Sequence, residues 1–218
     1  MTRLLAIVTL GLILASTWMA FTAGQVVPGP TEPAITFEKN IVYVHVPSAI
    51  STTVCFVALL VASIGYLATA RPVFDHVGAA SAEVALVFAT AMNLTGSIFA
   101  RPFWGFWWKP TPRLLSAAIL WFLCVAYLIL RANVQGQRLR SRLCAVFGII
   151  AFLDVPMLFI TARLMRDQHP QNISFGAPVQ YASFGLAILG AVMLAFLLIA
   201  LRTRILQTRT KLESQLTS

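Results

Sequence analysis

Residues 180–201 read QYASFGLAILGAVMLAFLLIAL, 22 positions with no charged side chain. At 1.5 Å per residue such a run makes a helix of about 33 Å, enough to cross the roughly 30 Å hydrocarbon layer of a bilayer. Five more apolar runs of similar length precede it, at roughly 4–23, 48–70, 78–99, 114–131 and 143–163. None alternates with period two, which argues against a membrane β-barrel. The expected fold is therefore all-α: a polytopic bundle of six transmembrane helices in one domain over 1–218, with 202–218 as a cytoplasmic tail. The first run follows Arg3, is longer than a typical signal-peptide core and precedes no clean small-x-small site, so it is expected to be a retained span.

Composition supports the same class. The 218 residues are 59% hydrophobic and 11% charged, with a mean hydropathy of +0.83; soluble domains are about 45–50% apolar and about 25% charged. The net charge of +9 would suggest nucleic acid in a soluble protein. Here the basic residues sit mainly at the ends of apolar runs, where they set topology and meet anionic head groups, so a lipid bilayer and no nucleic acid is the expected surrounding. Cys55, Cys124 and Cys144 stand alone inside apolar runs, without a Cys-x-x-Cys pair, and read as small buried hydrophobes.

Orientation follows from charge. With the N-terminus inside, the inner segments hold ten of the 16 Lys and Arg (Arg3, Arg71, Arg131, Arg138, Arg140, Arg142, Arg202, Arg204, Arg209 and Lys211). The outer ones hold Lys39, Arg101, Lys109, Arg113, Arg163 and Arg166. This bias favours both termini in the cytoplasm. It places the segments 24–47, 100–113 and 164–179 on the outer face.

The middle one contains Phe103-Trp104-Gly105-Phe106-Trp107-Trp108, with five aromatics in six residues and three of the chain's five tryptophans. An ordinary interfacial belt of Trp would account for some of this, but such a belt spreads its aromatics over many helix ends. Concentration in one segment, with Gly105 allowing a turn, also suits a stacking platform for a flat ligand such as haem. Two of the three histidines share that face: His45, before Pro47, which is well placed to open the second span, and His169, before Pro170, which would close any helix. Neutral imidazole is an axial ligand for haem iron, and two histidines on separate helices can approach one metal from opposite sides; each reads equally as an interfacial polar residue. Arg113, and Arg163 or Arg166, suit pairing with haem propionates, or simple snorkelling at helix ends.

Three other groups need a reading. His76 falls in the short inner segment after Arg71 and reads as solvated loop. Asp154 and Glu83 lie inside spans, where carboxylates are costly and suspect as functional groups. Pro156, two residues beyond Asp154, frees a backbone carbonyl and kinks its helix, which gives Asp154 an equally good local role; Glu83 is near enough to the inner end to reach the head groups. There is no phosphate-cradling loop, nucleophile–base arrangement or zinc spacing, so no enzyme is expected.

Taken in order, Val44-His45-Val46-Pro47-Ser48-Ala49, Thr95-Gly96-Ser97-Ile98, Trp104-Gly105-Phe106-Trp107-Trp108, Pro112-Arg113-Leu114, Asp154-Val155-Pro156 and His169-Pro170 resemble the haem exporter C family of the cytochrome c maturation system. That family lies within the tryptophan-rich haem-handling superfamily, and the resemblance runs from about residue 41 to the last span. It implies a multi-pass protein of the bacterial inner membrane whose periplasmic loops hold b-type, non-covalent haem. It also implies delivery of that haem to a membrane-anchored haem chaperone and association with an ATP-binding-cassette (ABC) transporter of the same pathway. On this resemblance His45 and His169 take the axial-ligand positions, and Trp104, Trp107, Trp108 and Arg113 fall on the tryptophan-rich motif. The family pattern continues with Trp-Asp before the Arg; Pro110 and Thr111 stand there instead, so the acidic group is missing. Two other functions compete: a membrane-anchor b-type cytochrome subunit carrying electrons, and a small-solute transporter using Asp154 and Glu83.

Overall fold

The computed structural model describes residues 2–22, 40–164, 175 and 177–216. Among them there is no strand. The helices are α1 (Thr2–Thr22), α2 (Val42–Thr69), α3 (Pro72–Trp104), α4 (Pro112–Asn133), α5 (Gln137–Phe152), α6 (Asp154–Leu164) and α7 (Pro178–Leu216). Among the described residues, six helical stretches are long and apolar enough to cross a membrane, α5 and most of α6 together making the fifth. The break between them falls at Leu153, whose N–H bonds the carbonyl of Ile150 at 3.0 Å. Pro156, which has no N–H for the carbonyl of Phe152, accounts for it.

Helix α3 is the axis of the bundle and packs against α2, α4 and α7. Its inward positions are small: Ala79, Ala80, Ala82, Ala85 and Ala89 are wholly enclosed. Lipid tails are as apolar as leucine, so burial from water cannot drive helices together inside a bilayer. Close backbone approach over small residues can. Phe56 and Leu59 of α2, Leu120 and Tyr127 of α4 and Ile199 of α7 fill the space around them. Cys55, Cys124 and Cys144 are buried thiols in this core, as expected.

The same principle seats the outer helices. A methyl on Gly148 of α5 would lie 2.5 Å from Ser63 Oγ of α2. Helix α1 packs on α7, where a methyl on Gly190 would lie 3.2 Å from Ile13 Cγ1. The Ser183 hydroxyl donates to the carbonyl of Ser16 at 3.2 Å across the same pair.

Two sequence expectations change at helix ends. Pro47 does not open α2, which begins at Val42: the carbonyls of Asn40 and Ile41 take the N–H groups of Tyr43, Val44 and His45. Pro47 sits in the second turn, forfeiting one backbone bond. His76 is not a solvated loop residue; α3 starts at Pro72, and His76 is buried with Nε2 3.2 Å from Thr210 Oγ1. Residues 202–216 continue α7, and Arg202 and Thr210 both reach α3.

Polar side chains tie the helices at the end where α3 starts and α4 finishes. The Arg131 guanidinium donates to both carboxylate oxygens of Asp75 at 2.7 and 2.8 Å. Glu83 accepts from Arg202 at 2.5 and 3.1 Å. Glu83 is thus held in a structural ion pair between α3 and α7.

Candidate haem site

The opposite end of the bundle holds a cavity of about 340 Å³, within the range of about 300–1,000 Å³ usual for small-molecule sites. Four elements enclose it: the first turns of α2, the last turns of α3, the start of α4, and α6. Alternating helix direction forces these ends together, since α2 enters where α3 leaves and α4 begins. Most of the wall is apolar, from Ile41, Val42, Ile50, Phe99, Leu114 and Phe159, among others. Set into it are His45, Asn93, Ser97, Trp104, Trp108 and Arg113.

The aromatic segment is shaped by its glycine. Gly105 caps α3 with φ +79°, a left-handed conformation that a side chain would strain. Its N–H bonds the carbonyl of Arg101 at 3.0 Å, and the Arg101 guanidinium contacts the Gly105 carbonyl. The chain turns there, so that Trp104, before the turn, and Trp108, after it, both face the cavity. Trp104 stacks on Phe106 at 6.0 Å and meets Phe99 edge-on at 5.9 Å, while Phe99 stacks on Phe103 at 4.2 Å. Trp107 points elsewhere: it is 59% exposed and does not line the cavity. Beyond it, Thr111 caps α4, accepting from the N–H of Leu114 at 3.5 Å, and Pro112 occupies the first helical position. Arg113 follows at once, which fixes it at the cavity rim.

His45 projects from α2 onto α3. Its Nδ1 lies 3.0 Å from the carbonyl of Met92 and 3.1 Å from Thr95 Oγ1. The ring rests against Gly96, where a methyl would come within 3.0 Å of Cε1. Thr95 and Gly96 stand in the Thr95-Gly96-Ser97-Ile98 stretch that carries the family resemblance, but nothing in that stretch signals contact with His45. Asn93 was missed as well. Its amide donates to Ala89 and Ala117 carbonyls at 2.8 and 3.3 Å, joining α3 to α4 at the cavity wall.

Of the other expected residues, Arg163 is exposed on α6 and outside the lining. His169 and Arg166 lie outside the described residues. Asp154 opens α6 one turn before Leu158, which lines the cavity; its Oδ2 is buried without a protein partner. Among the described residues no group of three or more His, Cys, Asp or Glu gathers as a bare metal ion would need.

Residues 1–217 match the family described as Heme exporter protein C. The chain belongs to that family. Over 162 residues it is 28% identical to Heme exporter protein C of Escherichia coli (strain K12), covering 71% of this chain and 66% of that protein. Over 185 residues it is 28% identical to Heme exporter protein C of Rhodobacter capsulatus, covering 79% and 75%. A Marchantia polymorpha relative named "Putative cytochrome c biosynthesis ccmC-like mitochondrial protein" is 27% identical over 142 residues, covering 64% and 60%. The chain thus spans 60% and 66% of the lengths of the Marchantia and E. coli relatives. The printed name of the bacterial relatives, Heme exporter protein C, makes haem the cargo against which the cavity is compared. The cavity's own chemistry suits such a cargo: indoles for a porphyrin face, apolar walls for its edge, a guanidinium for its propionates and an imidazole for iron.

Proposed function

We propose that this chain binds b-type, non-covalent haem at the periplasmic face of the bacterial inner membrane and delivers it to a membrane-anchored haem chaperone during cytochrome c maturation. The observation that carries the reading is the convergence of His45, Trp104, Trp108 and Arg113 on one cavity from three different helix ends. Haem supplies its own affinity through iron ligation. The chain's residues do the rest. His45 ligates, the tryptophans stack, and Arg113 neutralises a propionate. His169 is the second ligand. Its tether suits that role: Leu164, where α6 ends, is five residues before it, and Phe175, six residues after it, stacks on Tyr43 at 5.9 Å. Six residues reach at most about 20 Å, and Tyr43 is two residues from His45 in α2.

Both termini lie in the cytoplasm on this reading, from the excess of Lys and Arg in the segments at the other end of the bundle. Ligands near the membrane surface suit a cargo that must leave, and an ABC transporter of the same pathway is the expected neighbour. The test is an absorption spectrum of the purified chain with a covalent assay of haem transfer to the chaperone. His45→Ala and His169→Ala should each retain less haem and change its spectrum. Wild-type haem content and spectrum in both variants would refute the ligand assignment.

A further inference from the structure

We infer that Thr95, together with the carbonyl of Met92 and the bare backbone at Gly96, is the positioning device for His45, fixing its tautomer and its donor strength towards iron. The inference rests on the haem reading above and deepens it by naming the groups that seat the ligand, of which Thr95 lies outside the cavity lining.

A carbonyl oxygen only accepts, so the 3.0 Å contact between Nδ1 and Met92 O requires a hydrogen on Nδ1. The Thr95 hydroxyl leads to the same assignment. Its hydrogen is directed at backbone carbonyls, Ala91 at 2.6 Å or Met92 at 3.2 Å, so its oxygen turns lone pairs to Nδ1 at 3.1 Å. Both partners therefore call for Nδ1–H, which leaves the lone pair of neutral imidazole on Nε2. That is the nitrogen a metal takes when the other is held by a carbonyl or hydroxyl. Donation from Nδ1–H also pushes electron density into the ring, strengthening Nε2 as a ligand and favouring ferric over ferrous iron.

Gly96 sets the distance. The methyl of alanine would meet Cε1 at 3.0 Å and Nδ1 at 3.5 Å. Cε1 is bonded to both ring nitrogens, so any shift that relieves this contact moves Nε2 and stretches the Nδ1 bonds together. Threonine at 95 and glycine at 96 are thus two halves of one seat, the first holding the ring and the second letting it lie close.

The experiment uses the full chain in detergent, loaded with ferric haem, and reads three quantities: haem dissociation to apomyoglobin, the absorption spectrum and the midpoint potential. Thr95→Val should release haem about 10-fold faster, the lower end for loss of a partner behind a metal ligand, and raise the potential. Thr95→Ser should restore both to about the wild-type values, since it returns the hydroxyl alone. Gly96→Ala should also weaken binding, and Thr95→Ala carries the same test if the valine variant does not accumulate. Thr95→Val or Thr95→Ala matching wild type in dissociation and potential, while His45→Ala has lost the wild-type spectrum, would overturn the positioning role and leave the haem reading standing. His45→Ala indistinguishable from wild type would remove both.

Discussion

Arg131 closes a two-pronged bond on Asp75, joining the last turns of α4 to the first turn of α3 with both side chains largely out of solvent. Removing one partner of such a pair leaves the other charge largely buried and without its counter-ion. Arg131→Ala or Asp75→Ala is expected to destabilise the protein by about 3–5 kcal/mol. The measure is thermal unfolding in detergent. The double variant Asp75→Asn with Arg131→Met should recover much of the loss, because no charge is then left unpaired.

Gly148 supports α5 against α2 by contact alone. Gly148→Ala places a methyl 2.5 Å from Ser63 Oγ and 3.1 Å from Leu59 Cδ1, and overpacking of this kind costs about 1–3 kcal/mol. Adding Ser63→Ala removes the nearer of the two obstacles. Thermal stability should fall in the single variant and rise part of the way back in the double.

At Gly105 the demand is conformational, since nothing lies within 4 Å of where its methyl would be. Gly105→Ala should cost about 1–2 kcal/mol through the positive φ, and Gly105→Asn less. Because Trp104 and Trp108 flank this turn, a changed tryptophan fluorescence spectrum should accompany the loss. An unchanged spectrum with full stability would contradict the account of the turn.

Thr111 caps α4 through a long bond of 3.5 Å from Leu114 N. A carboxylate caps more strongly and meets the positive end of the α4 dipole. Thr111→Asp is therefore expected to stabilise by about 0.3–1 kcal/mol, and Thr111→Val to destabilise by about 0.5–2 kcal/mol. Unfolding temperatures in opposite directions are the check.

The six spans were readable because a helix that crosses hydrocarbon must be long and apolar, and each run in the sequence is helical in the structure. Their ends were not. Helix α2 starts upstream of Pro47, with the carbonyls of Asn40 and Ile41 taking its first N–H groups, and Pro47 is accommodated inside its second turn. His76 looked like loop because its partner, Thr210, lies 134 residues away. At the site, the nearness of His45 to the tryptophan segment followed from their shared side of the bundle. The seat beneath His45 did not, since beside the Thr95 hydroxyl it consists of a backbone carbonyl and the absence of a side chain at Gly96. Trp107 was grouped with its neighbours, but one residue's turn past Gly105 decides which indoles face inward.

The length of α3 has a consequence for access. Its 33 residues make a rod of about 50 Å, and even the steepest usual tilt, about 40°, leaves about 38 Å along the bilayer normal against about 30 Å of oil. The rod must stand proud of the lipid at one tip or both. With Asp75 pinned by Arg131 at one tip, any overhang at the other carries the indoles into the aqueous layer. A water-soluble visitor would then meet them without wading into the membrane.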